Sequence, residues 1–272
     1  MFKILFVINS RIMISKNSLL YTFCGIVVLC SSSSWAATVV STNPVSLTGT
    51  NFDYNIIRFY SSTGENNVLA SRVGDGLRVD FTGFSATTSG TNAAIDFATG
   101  NLGLTVLSHL PVTIGKLDIT ADGTFSLAAP FNSTGYAGLN IAVPFNITLT
   151  AINGNPYLTA PPTVGLSLGV SYTPTGSLTY VDSPGPEFSS GNWKANWNGD
   201  VASLFPAIFT SPTMKVTEIS LAITPNVTVW SQNGTATVEL TDVILQPIPE
   251  PSAFSLLGIG TVALLLVRRR KN

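Results

Sequence analysis

Apolar and polar residues alternate along most of the segment from residue 37 to residue 246. Between Leu77 and Thr82, for example, the odd-numbered positions are apolar and the even-numbered positions are polar. A period of two in segments rich in Val, Ile, Thr and aromatic residues predicts β-strands. We expect such strands at residues 52–60, 76–84, 112–120, 139–152, 164–173, 178–181, 216–224, 227–231 and 236–245.

Turn-forming dipeptides stand between many of these segments. They tolerate positive φ and predict tight turns at Asp75-Gly76, Asp122-Gly123, Asn153-Gly154 and Asn233-Gly234. Because alternating segments flank Asn233-Gly234 on both sides, the sequence predicts a hairpin of residues 227–230 with residues 236–240. No segment has a ten-residue helical period, and residues 200–205 predict a single capped turn before Pro206.

Short strands separated by turns, without helices, are typical of all-β proteins. The pattern predicts an antiparallel β-sandwich of jelly-roll or immunoglobulin-like type, and residues 37–246 are enough to bury a full core. Pro156, Pro161 and Pro162 fit either a boundary between two smaller sandwiches or a crossing loop within one. We expect one domain.

The N-terminus has the order of a secretory signal peptide. Three cations (Lys3, Arg11 and Lys16) precede an apolar segment over residues 19–30, and the small residues Ser34 and Ala36 flank Trp35. We expect residues 1–36 to be removed between Ala36 and Ala37, with the Sec translocon and signal peptidase as partners. Met13 begins a conventional signal on its own, which leaves the translation of residues 1–12 open. A lipoprotein signal at Cys30 is the weaker alternative, because Leu29 stands where a small residue is expected.

The C-terminus has three parts in a fixed order. Pro249-Glu250-Pro251 precedes an uncharged apolar run over residues 253–267, and a stop-transfer cluster follows, made of Arg268, Arg269, Arg270 and Lys271. As a helix the run spans roughly 22 Å at about 1.5 Å per residue, short of the roughly 30 Å hydrocarbon core. It inserts if the terminal cations snorkel and the bilayer thins. The cations favour a cytoplasmic C-terminus, which leaves Glu250 and the body on the other side of the inner membrane.

The segment 247–272 resembles the PEP-CTERM sorting signal of Gram-negative bacteria. Three features carry the resemblance: Pro249-Glu250-Pro251, the glycine-containing apolar run and the arginine cluster. The resemblance implies recognition by exosortase, a membrane-embedded cysteine transpeptidase. It also implies anchoring in the inner membrane before processing, then a place at the cell surface or in an extracellular polysaccharide matrix. An ordinary single-span tail anchor is the alternative.

The composition of the body excludes some kinds of site and disfavours one class of partner. Both cysteines lie in the predicted signal peptide, so the body has no thiolate, disulfide or Cys-based metal site. Residues 37–249 hold six Lys and Arg against thirteen Asp and Glu, a net charge of −7. An acidic body disfavours nucleic acid as a partner.

Candidate catalytic and metal-binding residues are few. His109 is the single histidine, and no nucleophile motif surrounds it. Residues 118–123 begin like an EF-hand calcium loop, but Ala129 stands where that loop needs a bidentate glutamate, so a hairpin turn is the preferred interpretation. We therefore predict no catalytic residue, no metal and no cofactor. The alternative is a secreted polysaccharide-active hydrolase that uses a carboxylate pair distant in sequence.

The segment from residue 188 to residue 200 is the one feature that points to a ligand. It reads as an aromatic loop with Trp193 and Trp197 among Asn, Gly and Asp, a composition that suits sugar rings. Alternatively, the two indoles cap the core. The sequence thus predicts an exported, non-enzymatic surface or matrix protein, with carbohydrate contact as a refinement.

Overall fold

The computed structural model describes residues 38–39, 45–62, 67–130, 134–157, 160–183, 185 and 187–250. These residues form strands joined by turns and one short 3₁₀ helix, Ala202–Leu204. The strands are β1 Thr38–Val39, β2 Val45–Leu47, β3 Phe52–Ser61, β4 Asn67–Val73, β5 Gly76–Thr82, β6 Ser85–Gly90, β7 Ala94–Ser108, β8 Ile114–Ala128, β9 Tyr136–Ala142, β10 Pro144–Ile152, β11 Asn155–Pro156, β12 Thr163–Ser167, β13 Gly169–Thr173, β14 Tyr180–Asp182, β15 Phe188–Asp200, β16 Val216–Ile223, β17 Asn226–Gln232 and β18 Gly234–Pro249.

Two antiparallel sheets contain these strands. In the first sheet the order is β11-β10-β16-β7-β17-β9-β14; β3 also pairs with β7, β1 and β2 pair with β3, and β12 pairs with β10. In the second sheet the order is β13-β15-β8-β18-β5-β4, and β6 pairs with β18. The chain crosses between the sheets repeatedly, so most strands pair with partners that are distant in sequence.

One hydrophobic core joins the two sheets. Alternate residues of each strand are buried, so Leu104 and Val106 of the first sheet belong to the same core cluster as Ile119 and Leu245 of the second. Period-two burial on two facing sheets is the packing of a β-sandwich. The predicted all-β, antiparallel class is confirmed. The predicted signal peptide and C-terminal apolar helix lie outside the described residues, and within the described ones no helix is long and apolar enough to cross a membrane.

One predicted turn and one predicted hairpin are wrong, for the same reason. Asp122-Gly123 lies in the middle of β8, which runs unbroken through it. Asn233-Gly234 does turn the chain, with Asn233 at φ 49°, but it joins β17 of the first sheet to β18 of the second, so no hairpin forms. Turn chemistry sets the local path of the chain, whereas the pairing partner is set by burial across the whole domain.

Other local predictions agree with the structure. Asn153-Gly154 forms the turn between β10 and β11, with both residues at positive φ. The capped turn at residues 200–205 is the 3₁₀ helix, where the Ser203 N–H donates to Asp200 Oδ1 at 3.1 Å. The final strand is longer than predicted, because β18 continues past Leu245 to Pro249.

Candidate functional site

The predicted sorting motif begins inside the folded domain. Pro249 is the last residue of β18 and pairs with Ile114 of β8. The next residue, Glu250, donates its backbone N–H to the Thr113 carbonyl at 3.2 Å. Pro251 and the predicted stop-transfer cluster, Arg268 to Lys271, lie outside the described residues, as does the predicted cleavage site at Ala36 and Ala37. The folded domain therefore reaches the motif without an intervening linker.

The Glu250 side chain is also bound to the domain. Its carboxylate accepts a hydrogen bond from Lys215 Nζ in an ion pair. Its Cγ lies over Gly115, where an added Cβ would come within 2.6 Å of it. Lys215 is fixed in turn, because its N–H donates to Asn153 Oδ1 at 2.8 Å and its carbonyl accepts from the Asn153 N–H at 2.9 Å.

The two tryptophans predicted as sugar contacts lie on β15, which is a strand rather than a loop. Trp193 is 1% exposed, and its indole N–H donates to the Glu239 carbonyl at 3.0 Å. Trp197 packs against the core and meets Phe145 edge to face at 5.3 Å. Neither ring is presented as an open platform. Trp193 belongs to the core, and Trp197 is partly buried against it.

A different set of aromatic residues lies on the outer surface of the first sheet. We call this set the aromatic face: Phe97 of β7, Trp230 of β17, Tyr136 of β9 and Tyr180 of β14. All four alternate with buried residues of their strands, so they point away from the core. The register places Ile95, Trp230, Gly138 and Tyr180 in one row across four neighbouring strands.

Glycine 138 determines how Trp230 lies. A Cβ at residue 138 would come within 2.5 to 2.6 Å of three adjacent indole atoms, Cε2, Cζ2 and Nε1. Nearly equal distances to three neighbouring atoms mean that the ring lies across the Gly138 backbone. Trp230 is half-buried as a result, and the opposite face of its indole is directed away from the sheet.

Tyrosines continue the aromatic face toward the edge strand β14. The rings of Tyr136 and Tyr180 stack with centroids 6.3 Å apart and an interplanar angle of 24°, and Tyr180 is 46% exposed. Hydrogen-bonding side chains alternate with the rings: Gln232 and Asp182 flank Tyr136 in register, and exposed Asn140 follows Gly138 on β9. The sequence pattern did not predict this face, although the apolar Val227 and Val229, which are buried, place Trp230 on the opposite side of β17.

Carboxylates gather on the outer surface of the second sheet. Asp80, Asp242 and Asp122 stand side by side on β5, β18 and β8. Arg78 bonds Asp80 at 2.7 Å and Asp242 at 2.9 Å. Asp242 is only 7% exposed, and burial raises its pKa above the usual range, with Arg78 lowering it and the neighbouring Asp122 and Asp80 raising it further.

Asp118, Asp122 and His109, which the sequence offered as candidate metal-binding or catalytic residues, all lie among the described residues. Asp118 and Asp122 lie on one continuous strand, which does not wrap around an ion in the manner of an EF-hand loop. Among the described residues no cluster of three or more His, Cys, Asp or Glu is arranged to hold a metal. His109 Nε2 lies 2.8 Å from Asp53 Oδ2, and the hydrogen bond that the imidazole donates to this carboxylate is the largest influence that raises the pKa of His109.

Comparison with known proteins decides the nature of the C-terminal segment. Residues 247–271 match the family model of the PEP-CTERM protein-sorting motif. The chain carries a PEP-CTERM sorting signal. The prediction drawn from Pro249-Glu250-Pro251 and the arginine cluster is thereby confirmed. The PEP-CTERM signal indicates an exported, membrane-sorted protein, with exosortase as the general kind of processing partner.

Outside the PEP-CTERM segment, similarity to known proteins is weak. No curated protein matches the chain. Among solved structures, TmCBM61 in complex with β-1,4-galactotriose is 13% identical with a TM-score of 0.22, covering 71% of this chain and 88% of its own. The family 11 xylanase from Neocallimastix patriciarum is 11% identical with a TM-score of 0.20, covering 78% and 99%. Such low TM-scores carry no argument about function.

Proposed function

We propose that this protein is a non-enzymatic component of the cell surface or extracellular matrix, and that its folded domain contacts extracellular polysaccharide through the aromatic face. The observation that carries the proposal is the indole of Trp230, held flat across Gly138 beside the stacked Tyr136 and Tyr180. A pyranose ring has an apolar face of C–H groups and a rim of hydroxyls. Flat aromatic surfaces match the former, and amide or carboxylate groups match the latter.

The alternation of rings with polar side chains favours a carbohydrate over an apolar protein surface. Gln232, Asp182 and Asn140 stand within the aromatic face rather than at a distant rim. A sugar contacting Trp230 or Tyr180 has donors and acceptors for its hydroxyls in the adjacent positions. The PEP-CTERM signal supports the same proposal, since it delivers the domain to a compartment where extracellular polysaccharide is the expected neighbour.

The test compares binding of purified secreted protein to polysaccharide extracted from the producing cells, by affinity electrophoresis and calorimetry. We expect Trp230→Ala and Tyr180→Ala each to weaken binding about tenfold, because each removes a stacking surface. Phe188→Ala is the matched control, since Phe188 is an aromatic residue 63% exposed on the second sheet. Undiminished binding in the double variant, or absence of polysaccharide binding by the wild type, would refute the proposal.

A further inference from the structure

We propose that the folded domain holds the glutamate of the sorting signal in a latch, and that this latch must open before exosortase reads the motif. The latch consists of Thr113, Gly115 and Lys215 around Glu250. The proposal rests on the PEP-CTERM signal and is independent of carbohydrate contact by the aromatic face.

Three separate contacts hold Glu250 in the latch. The first is the backbone hydrogen bond from its N–H to the Thr113 carbonyl. The second is the ion pair with Lys215, whose backbone is bound to Asn153 in both directions. The third is the close packing of Cγ on Gly115. Together they leave the side chain of Glu250 26% exposed.

Latched residues are poorly suited to recognition by an enzyme. An extended substrate is commonly bound through its backbone edge. Here Pro249 is already paired with Ile114 of β8, and the Glu250 N–H is already bonded to the Thr113 carbonyl. The carboxylate of Glu250 is likewise occupied by Lys215. A carboxylate neutralised by one cation is a weaker ligand for a second. Processing therefore needs local fraying of the last residues of β18, while the rest of the sandwich stays folded.

The latch is weak enough to open without unfolding the domain. A partly exposed ion pair and one hydrogen bond at the end of a strand each contribute little to stability. Loss of the Lys215 pair is expected to raise the population of the open state, and with it the processing rate, about two- to fivefold. Loss of Lys215 and loss of Glu250 are expected to change the processing rate in opposite directions, because loss of Glu250 removes the motif and abolishes processing.

The experiment follows maturation of the full chain in an exosortase-bearing host by pulse labelling and intact mass. Lys215→Met removes the ion pair, and Gly115→Ala displaces Glu250 sterically without altering any charge. Both variants are expected to mature faster than the wild type, and Lys215→Arg, which keeps an ion pair, more slowly than Lys215→Met. Lys194→Met is the matched control, since Lys194 is also a partly exposed lysine with a carboxylate partner, Asp122 at 3.9 Å.

Two outcomes overturn the latch. Unchanged rates in both Lys215→Met and Gly115→Ala would show that opening does not limit processing. Slower maturation in both, with normal export and an unchanged melting temperature, would mean that the folded domain presents the motif instead of covering it. Faster exchange of the Glu250 amide hydrogen in Lys215→Met than in Lys194→Met is the accompanying expected result. These outcomes leave polysaccharide binding by the aromatic face unaffected.

Discussion

Two glycine–tryptophan contacts have different roles in this domain: one belongs to the core, and the other belongs to the surface proposed to contact polysaccharide. Gly123 lies under Trp193 inside the core, and Gly138 lies under Trp230 on the outer surface. In each pair the missing side chain lets an indole approach a strand backbone. The first pair fills the sandwich, whereas the second exposes a ring face to solvent. A dipeptide pattern alone does not distinguish them, and it misassigned Asp122-Gly123 as a turn.

Substitution of Gly123 tests this account of the core. A Cβ at Gly123 would come within 2.5 Å of Trp193 Cε2 and would also meet the Glu239 carbonyl, so Gly123→Ala is expected to lower the free energy of unfolding by about 2–3 kcal/mol. Gly103→Ala is the control, since nothing lies within 4 Å of its added Cβ; its effect should stay within about 0.5 kcal/mol. Urea denaturation measures both, and equal midpoints for the two variants would contradict the account.

For individual strands, the alternation of apolar and polar residues predicted which sides are buried, but it did not predict which strands pair. The buried and exposed sides of β5, β16 and β17 follow directly from period-two patterns in the sequence. The strand β15 was missed because its outward residues are mostly Asn, Lys and Asp, a composition typical of loops. Pairings such as β18 with β8 join residues more than 100 positions apart. Local sequence carries no signal for such pairings, and hence none for the aromatic face or the latch.

The carboxylate row across β5, β18 and β8 gives a prediction of pH dependence. The raised pKa of Asp242 means that the folded state binds its proton more tightly than the unfolded chain. Ionisation of Asp242 therefore costs stability above that pKa, and the cost disappears as pH falls below the usual Asp range. Arg78 offsets the cost by its bond to Asp242, whereas Asp80 and Asp122 increase it.

Arg78→Met is accordingly expected to destabilise the domain more at about pH 7 than at about pH 4. The ion pair with Arg78 stabilises Asp242 only when its carboxyl is ionised. Arg58→Met, an exposed arginine on β3, serves as the control for loss of one positive charge. Thermal unfolding at the two pH values gives the comparison. A loss for Arg78→Met that is independent of pH would contradict the assigned role of Asp242.

For the molecule as a whole, both the charge distribution and the path of the chain connect the C-terminal tail to the folded body. Basic residues are concentrated in the two terminal segments, whereas the body is acidic. The second sheet runs through β18 directly to Pro249 and Glu250, so whatever holds the C-terminus holds the sandwich close by. Cleavage near the motif would remove the arginine cluster and leave an acidic product.

Exosortase processing of the whole chain has a direct signature in mass and charge. Mature wild-type protein from an exosortase-bearing host is expected to lack Arg268 to Lys271 by intact mass and to focus at a lower pH than the unprocessed chain. Glu250→Ala is expected to accumulate unprocessed, because it removes the carboxylate of the motif. Glu239→Ala removes a carboxylate from an earlier position of the same strand and should mature normally. Retention of the arginine cluster in mature wild-type protein would reduce the tail to a plain anchor, and equal maturation of the two glutamate variants would remove Glu250 from the recognised motif.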